Sequence, residues 1–167
     1  MTLSQEPRNE FQPSISFDVS LLVYVKEEMG NQDIYLKFLS TTKKSKRLTT
    51  HSTDDSDPKL SPDGTRIIWV SKRDDVKGDI WIMNVDGSNK RALTSRHAFE
   101  RTPIWHPRGD SIYFTSKLPG SNHEQIEQLH LNHCRSIEKS QCKRTIIAEQ
   151  GYDPAISPDG RILIYVR

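Results

Sequence analysis

A period of 45 residues runs through this chain and limits its fold more than any other feature. The tetrapeptide SPDG stands at Ser61–Gly64 and again at Ser157–Gly160, 96 positions apart, each time with an Asp-Pro pair just upstream. A shift of 45 lays Pro58-Lys59-Leu60-Ser61-Pro62-Asp63-Gly64 on Pro103-Ile104-Trp105-His106-Pro107-Arg108-Gly109, which keeps both prolines and the glycine. The opposite shift lays it on Pro13-Ser14-Ile15-Ser16-Phe17-Asp18-Val19, and the third copy is six residues longer than the others.

The segments downstream of each turn repeat as well. First comes an apolar run: LLVYV at Leu21–Val25, IIWV at Ile67–Val70, IYF at Ile112–Phe114 and ILIYV at Ile162–Val166. A second run stands at Asp33–Leu36 and Asp79–Ile82, with a weaker echo at Gln128–Leu131, and units close on Leu48-Thr49 and Leu93-Thr94. Leu3-Ser4, 45 residues before Leu48-Thr49, fits the tail of a preceding unit. The units are therefore about 13–49, 58–94 and 103–147, with a partial one at 154–167.

Short segments rich in Ile, Val, Trp and Tyr, split by Gly, Asp, Asn and Pro, are strands. Four strands per repeat of this length predict a propeller blade. In S-P-D-G, Pro presets φ near −65° and Asp and Gly accept the tight conformations after it, so the turn folds the innermost strand onto the second. Asp86-Gly87-Ser88-Asn89 makes a second hairpin turn. LLVYV, IIWV and ILIYV are apolar at every position, which predicts strands covered on both faces by neighbouring blades. Burial of each large side chain there contributes roughly 1.5–3 kcal/mol. Trp69, Trp81 and Trp105 are expected in that core and not on a ligand platform.

The stretch DPKLSPDGTRIIWVSKRDDVKGDIWIMNVDGSNKRALT, Asp57 to Thr94, resembles the WD40-like repeat of the TolB propeller family. That pattern runs D-x-P-x-x-S-P-D-G-x-x-I-x-x-x-S, then D-I-Y, D-G and L-T. The first unit departs from it, with Phe17-Asp18-Val19 in place of Pro-Asp-Gly, and the third carries His106 and Arg108 for Ser and Asp. The resemblance implies an all-β, TolB-type β-propeller, extracytoplasmic or periplasmic, that binds envelope proteins without catalysis. Similar repeats also form the accessory propeller of prolyl-oligopeptidase-type peptidases, whose catalytic domain this sequence does not hold. Closed rings have about four to eight blades, and three plus a remnant at either end leave apolar faces open. The chain is then either a piece of a longer propeller or half of a ring that a homodimer completes about a twofold axis.

Other classes are disfavoured. A net charge of +2 gives no footprint for nucleic acid, and the basic run Lys43–Arg47 has no interleaved aromatics. No apolar run approaches the roughly 20 residues of a spanning helix, and MTLSQEPRNEFQP is no signal peptide. There is no G-x-S-x-G elbow, and His123-Glu124-Gln125-Ile126-Glu127 lacks the second His of a zincin. Asp54-Asp55-Ser56-Asp57 lacks the alternating ligands and Gly of a calcium loop. No catalytic residue, metal or cofactor is expected. Cys134 and Cys142 flank the insert Arg135–Gln141. They are candidates for a disulfide stapling a long hairpin, with free thiols, or a metal site shared with His130 and His133, as the alternatives. A disulfide would favour an oxidising compartment.

Strand order predicts which connections share a face. Thr50–Asp57, Ser95–Thr102 and Ala148–Asp153 lie together there, with Ser71–Gly78 and Lys117–Gln125, opposite the SPDG turns. His51, Asp54, Asp55, His97, Phe99, Arg101 and Tyr152 are the candidate contacts for a protein or peptide partner, aromatic and Arg side chains being enriched in recognition hot spots. Phe99 has a plainer alternative as a plug between blades.

Overall fold

The computed structural model describes residues 9–134 and 142–167, so Leu3-Ser4 and the insert 135–141 lie outside the described residues. The first sheet holds β1 (Glu10–Ile15), β2 (Leu21–Glu28), β3 (Asn31–Phe38) and β4 (Lys46–Arg47). The second holds β5 (Asp55–Leu60), β6 (Arg66–Ser71), β7 (Asp79–Asn84) and β8 (Arg91–Ala92). In the third are β9 (Phe99–Trp105), β10 (Ser111–Lys117), β11 (Gln125–His130) and β12 (Lys143–Ala148), with β13 (Tyr152–Ile156) and β14 (Leu163–Val166) forming a two-stranded fourth. Every pairing is antiparallel between strands consecutive in sequence. The first strands of successive sheets lie against one another, β1 on β5, β5 on β9 and β9 on β13, which gathers them round a common axis as propeller blades.

The core sits between the sheets. Val23, Val25, Ile34 and Leu36 of the first meet Leu60, Ile67, Trp69, Trp81 and Met83 of the second. The reverse face of the second, Ile68, Val70, Ile80 and Ile82, meets Trp105, Ile112, Phe114 and Leu129 of the third. Period-2 alternation thus sends Ile67 and Trp69 one way and Ile68 and Val70 the other, each into an apolar layer. All three tryptophans are buried, Trp69 completely. The fourth sheet differs from the expectation that ILIYV is covered on both faces: Ile162, Ile164 and Val166 stand 61, 63 and 45% exposed. Within the described chain no sheet packs on that side of β14.

The turns explain why the tetrapeptide recurs. Ser61 Oγ donates to Asp63 Oδ1 at 2.5 Å and accepts the Arg66 N–H at 2.9 Å, while Asp63 Oδ1 also accepts the Thr65 N–H. The same three contacts tie Ser157, Asp159, Arg161 and Ile162. In the first unit Ser16 and Asp18 reproduce them without the Pro-Gly frame, so Ser and Asp carry the turn. Gly64, Gly109 and Gly160 have φ of 69°, 71° and 72°, and Val19 is forced to 59° at the equivalent place.

A β-branched residue at that φ is strained by about 1–2 kcal/mol, against an entropic cost of glycine of roughly 0.5–1 kcal/mol. Val19→Gly is expected to raise stability by up to about 1 kcal/mol in urea unfolding, and Gly64→Val, the reverse exchange at the equivalent position, to lower it by up to about 1 kcal/mol.

Candidate functional site

Each first strand carries one residue at positive φ directly before a proline: Gln12, Asp57, Thr102 and Asp153, at 52°, 51°, 50° and 52°. In every case the pairing with the next strand slips at this point, a β-bulge at the wall of the axis. Proline cannot donate to a ladder and is confined to edges and bulges, and these first strands are the inner edges of their sheets.

The bulges are hydrogen-bonded from blade to blade. Asp57 N–H donates to Gln12 Oε1 at 2.9 Å, and Gln12 Nε2 returns a bond to Asp57 Oδ1 at 2.6 Å. The Asp57 carboxylate accepts the Thr102 N–H, and burial still holds its pKa above the usual range. Asp153 N–H donates to Thr115 Oγ1 at 3.0 Å, beside the Thr102 hydroxyl at 2.9 Å from the same oxygen. This belt fixes the spacing of the inner strands.

Above the belt stands a charged cluster. Arg101 Nη1 lies 2.5 Å from Asp153 Oδ1 and Nη2 3.0 Å from Glu124 Oε2, with the guanidinium carbon 5.6 Å from the Tyr152 ring centre. The structure therefore brings Arg101 and Tyr152 together. His97, whose side chain is 83% exposed, bonds Asp75 Oδ2 through Nδ1 at 2.9 Å. Phe99 is 41% exposed. His51 and Asp54 sit further round, between the first and second sheets: the His51 carbonyl accepts from Asn31 Nδ2, its Nδ1 faces Thr53 Oγ1 at 2.8 Å, and Asp54 pairs with Lys72 at 3.0 Å.

Asp55 requires a correction. It is fully buried, its carboxylate bonded to Trp69 Nε1 at 3.0 Å and to Arg73 Nη2 at 3.0 Å, so it anchors the core and meets no partner. Phe99, Arg101 and Tyr152 also belong to strands β9 and β13 and not to connecting loops, because the strands begin at the loop end of the inner edge. Cys134 Sγ and Cys142 Sγ lie 2.08 Å apart, a bonded pair flanking the insert.

Beneath the 95–99 connection lies a buried ionic network that the sequence pattern did not reveal. Arg144 Nη1 is 3.3 Å from Glu100 Oε1 and 3.4 Å from Glu127 Oε2. Thr94 donates to Glu100, Ser116 Oγ to Glu127 Oε1 at 2.5 Å, and Arg96 Nη1 stands 4.0 Å from Glu127. Two carboxylates around one close guanidinium cannot both be compensated. Burial pushes the Glu100 carboxyl up to about 7, offset in part by Arg144 and Thr94 and reinforced by Asp79 and Glu127. The signal available was positional: Glu100 lies 45 residues after Asp55, itself a buried acid.

Side-by-side four-stranded antiparallel sheets around an axis define a β-propeller. The family model described as the TolB beta propeller domain matches residues 1–167, and the chain belongs to that family. It is 29% identical to the Tol-Pal system protein TolB of Francisella tularensis over 92% of this chain and 34% of that protein. To the uncharacterized peptidase YuxL of Bacillus subtilis it is 26% identical over 92% of this chain and 28% of the relative. The crystal structure of TolB from Acinetobacter baumannii superposes with a TM-score of 0.78 at 24% identity, covering 97% of this chain and 38% of that one. The chain thus spans about a third of the length of the relatives it matches.

The Glu100 network carries a pH dependence of definite sign. Between pH 4.5, the ordinary glutamate value, and about 7, the folded chain holds a proton at Glu100 that the unfolded chain has released, so stability falls as pH rises through this window. Urea unfolding across it should show this decline, and Glu100→Gln, which still accepts from Thr94, should flatten it. An unchanged slope would mean that Glu100 ionises normally.

Proposed function

We propose that this propeller is a non-catalytic recognition module whose loop face binds a protein or peptide partner in the cell envelope. The observation that carries it is the contrast between a fixed base and an open surface. Arg101, Glu124, Asp153 and Tyr152 hold one another rigidly, and Phe99 and His97 stand beside them exposed. An aromatic anchor on a pre-organised polar base loses little entropy on binding. The placement in the envelope is supported by the likeness to Tol-Pal system proteins and by the bonded Cys134–Cys142 pair, which suits an oxidising compartment.

The likeness to the peptidase YuxL favours a second reading, in which the propeller is the accessory domain of a prolyl-oligopeptidase-type enzyme.

One experiment addresses both. A photo-crosslinking residue at Phe99, and a control at Arg161 on the opposite face, are expressed in the chain and irradiated in an envelope extract. Discrete adducts from position 99, absent from position 161 and competed by unlabelled chain but not by its Phe99→Ala/Arg101→Ala variant, are expected. An envelope protein in the adduct supports the first reading and a hydrolase domain the second, whereas equal labelling from both positions contradicts the loop-face site.

A further inference from the structure

On the face opposite the loops, the repeat sets equivalent residues around each cleft between successive turns. Between the second and third sheets the cleft is filled by Arg66. Its guanidinium carbon lies 4.8 Å from the Trp105 ring centre, and Nη2 donates to the Gly109 carbonyl at 2.9 Å. A Cβ on Gly109 would stand 3.5 Å from that Nη2. Between the third and fourth sheets the His106 ring closes the cleft, 2.7 Å from where a Cβ on Gly160 would lie.

The cleft between the first and second sheets has the same frame and a different filling. Leu21 holds the position of Arg66, 45 residues earlier, and Leu60 that of Trp105. Gly64, the equivalent of Gly109, has no atom within 4 Å of the place its Cβ would take. A cavity of about 240 Å³ opens there, lined by Phe17, Leu21 and Pro62 together with Asp18 and Asp63. Phe17 stands where the other units have proline and is 97% exposed. Hydrogen bonds from the Ser16 and Ser61 hydroxyls hold the Asp18 and Asp63 carboxyls below the usual aspartate range, so both are charged at neutral pH.

We propose that this cleft is an interaction surface that receives an arginine side chain of a partner protein, its guanidinium taking the place that Arg66 fills one blade further on. The Gly64 carbonyl occupies the repeat position of the Gly109 carbonyl that Arg66 uses. Phe17 supplies an aromatic face for stacking, and the two aspartates supply the compensating charge that the all-apolar Leu21 and Leu60 do not. A planar, weakly hydrated guanidinium suits an aromatic wall and a single carbonyl better than the compact ammonium of lysine. This surface lies on the other side of the blades from Phe99 and stands independently of the loop-face site.

The probe is acetyl-Gly-Arg-Gly-amide, titrated into the ¹⁵N-labelled chain beside its citrulline counterpart, which has the same shape without the charge. Saturable shifts are expected at the Ser20, Gly64 and Thr65 amides, at least about tenfold weaker with citrulline. Leu21→Arg should abolish them by supplying the guanidinium from within, its remaining amide spectrum reporting that the chain is folded. Phe17→Ser, a change at an exposed side chain, should weaken binding several-fold without touching the fold. Absence of saturable shifts at these amides, equal binding of citrulline, or undiminished binding by the folded Leu21→Arg chain overturns the proposal. So does a concentration-dependent shift of the same amides without peptide, which would make a second copy of the chain the occupant.

Discussion

Apolar contact between the faces of neighbouring sheets is what every other feature depends on. A single four-stranded sheet with Ile67 and Trp69 on one side and Ile68 and Val70 on the other has no stable wet face. The second sheet achieves full burial of those residues only because the first and third lie against it. At roughly 1.5–3 kcal/mol for each large side chain buried, these two layers exceed anything the ion pairs contribute. Each repeat is therefore a cooperative neighbour and not an independent domain.

Polar groups then set what the apolar layers leave undetermined. The apolar layers alone would permit sheets to slide or splay, and the pre-proline bulges prevent this at the axis, where Gln12, Asp57 and Thr102 exchange hydrogen bonds across two blade boundaries. Near the loop end, Asp55 with Arg73 and Glu100 with Arg144 fill equivalent buried positions by different means. Asp55 has its own guanidinium, while Glu100 shares one with Glu127. Successive blades of one frame thus differ in charge balance, and with it in how they respond to pH.

Much of the fold is legible in the sequence, because period, turn chemistry and doubly apolar strands are local signals. The SPDG turn, the order of strands and the burial of Trp69, Trp81 and Trp105 are direct consequences of them. The candidate site was less legible. Asp55 looks like a loop acid until the indole of Trp69 and the guanidinium of Arg73 are seen to enclose it. Contacts between residues about 45 apart, such as Asp57 with Gln12 or the Leu60 N–H with Ser14 Oγ, arise from the rotation between blades and leave no mark on a linear pattern. The exposure of Ile162 and Ile164 likewise depends on what packs beside β14, which the apolar run itself does not encode. Val19 and Phe17 were visible as departures from the repeat, and their consequence, a strained turn beside an open cleft, emerged only from the backbone angle and the cavity.

If burial between sheets governs stability, protection must track coverage and not strand length or hydrogen bonding alone. Native-state amide hydrogen exchange tests this most directly. The slowest amides should be those of Ile67–Val70 and Ile80–Met83 in the doubly covered second sheet, with Leu163–Val166 exchanging faster by orders of magnitude. Equal protection of β14 and β6 would contradict the primacy of inter-sheet packing.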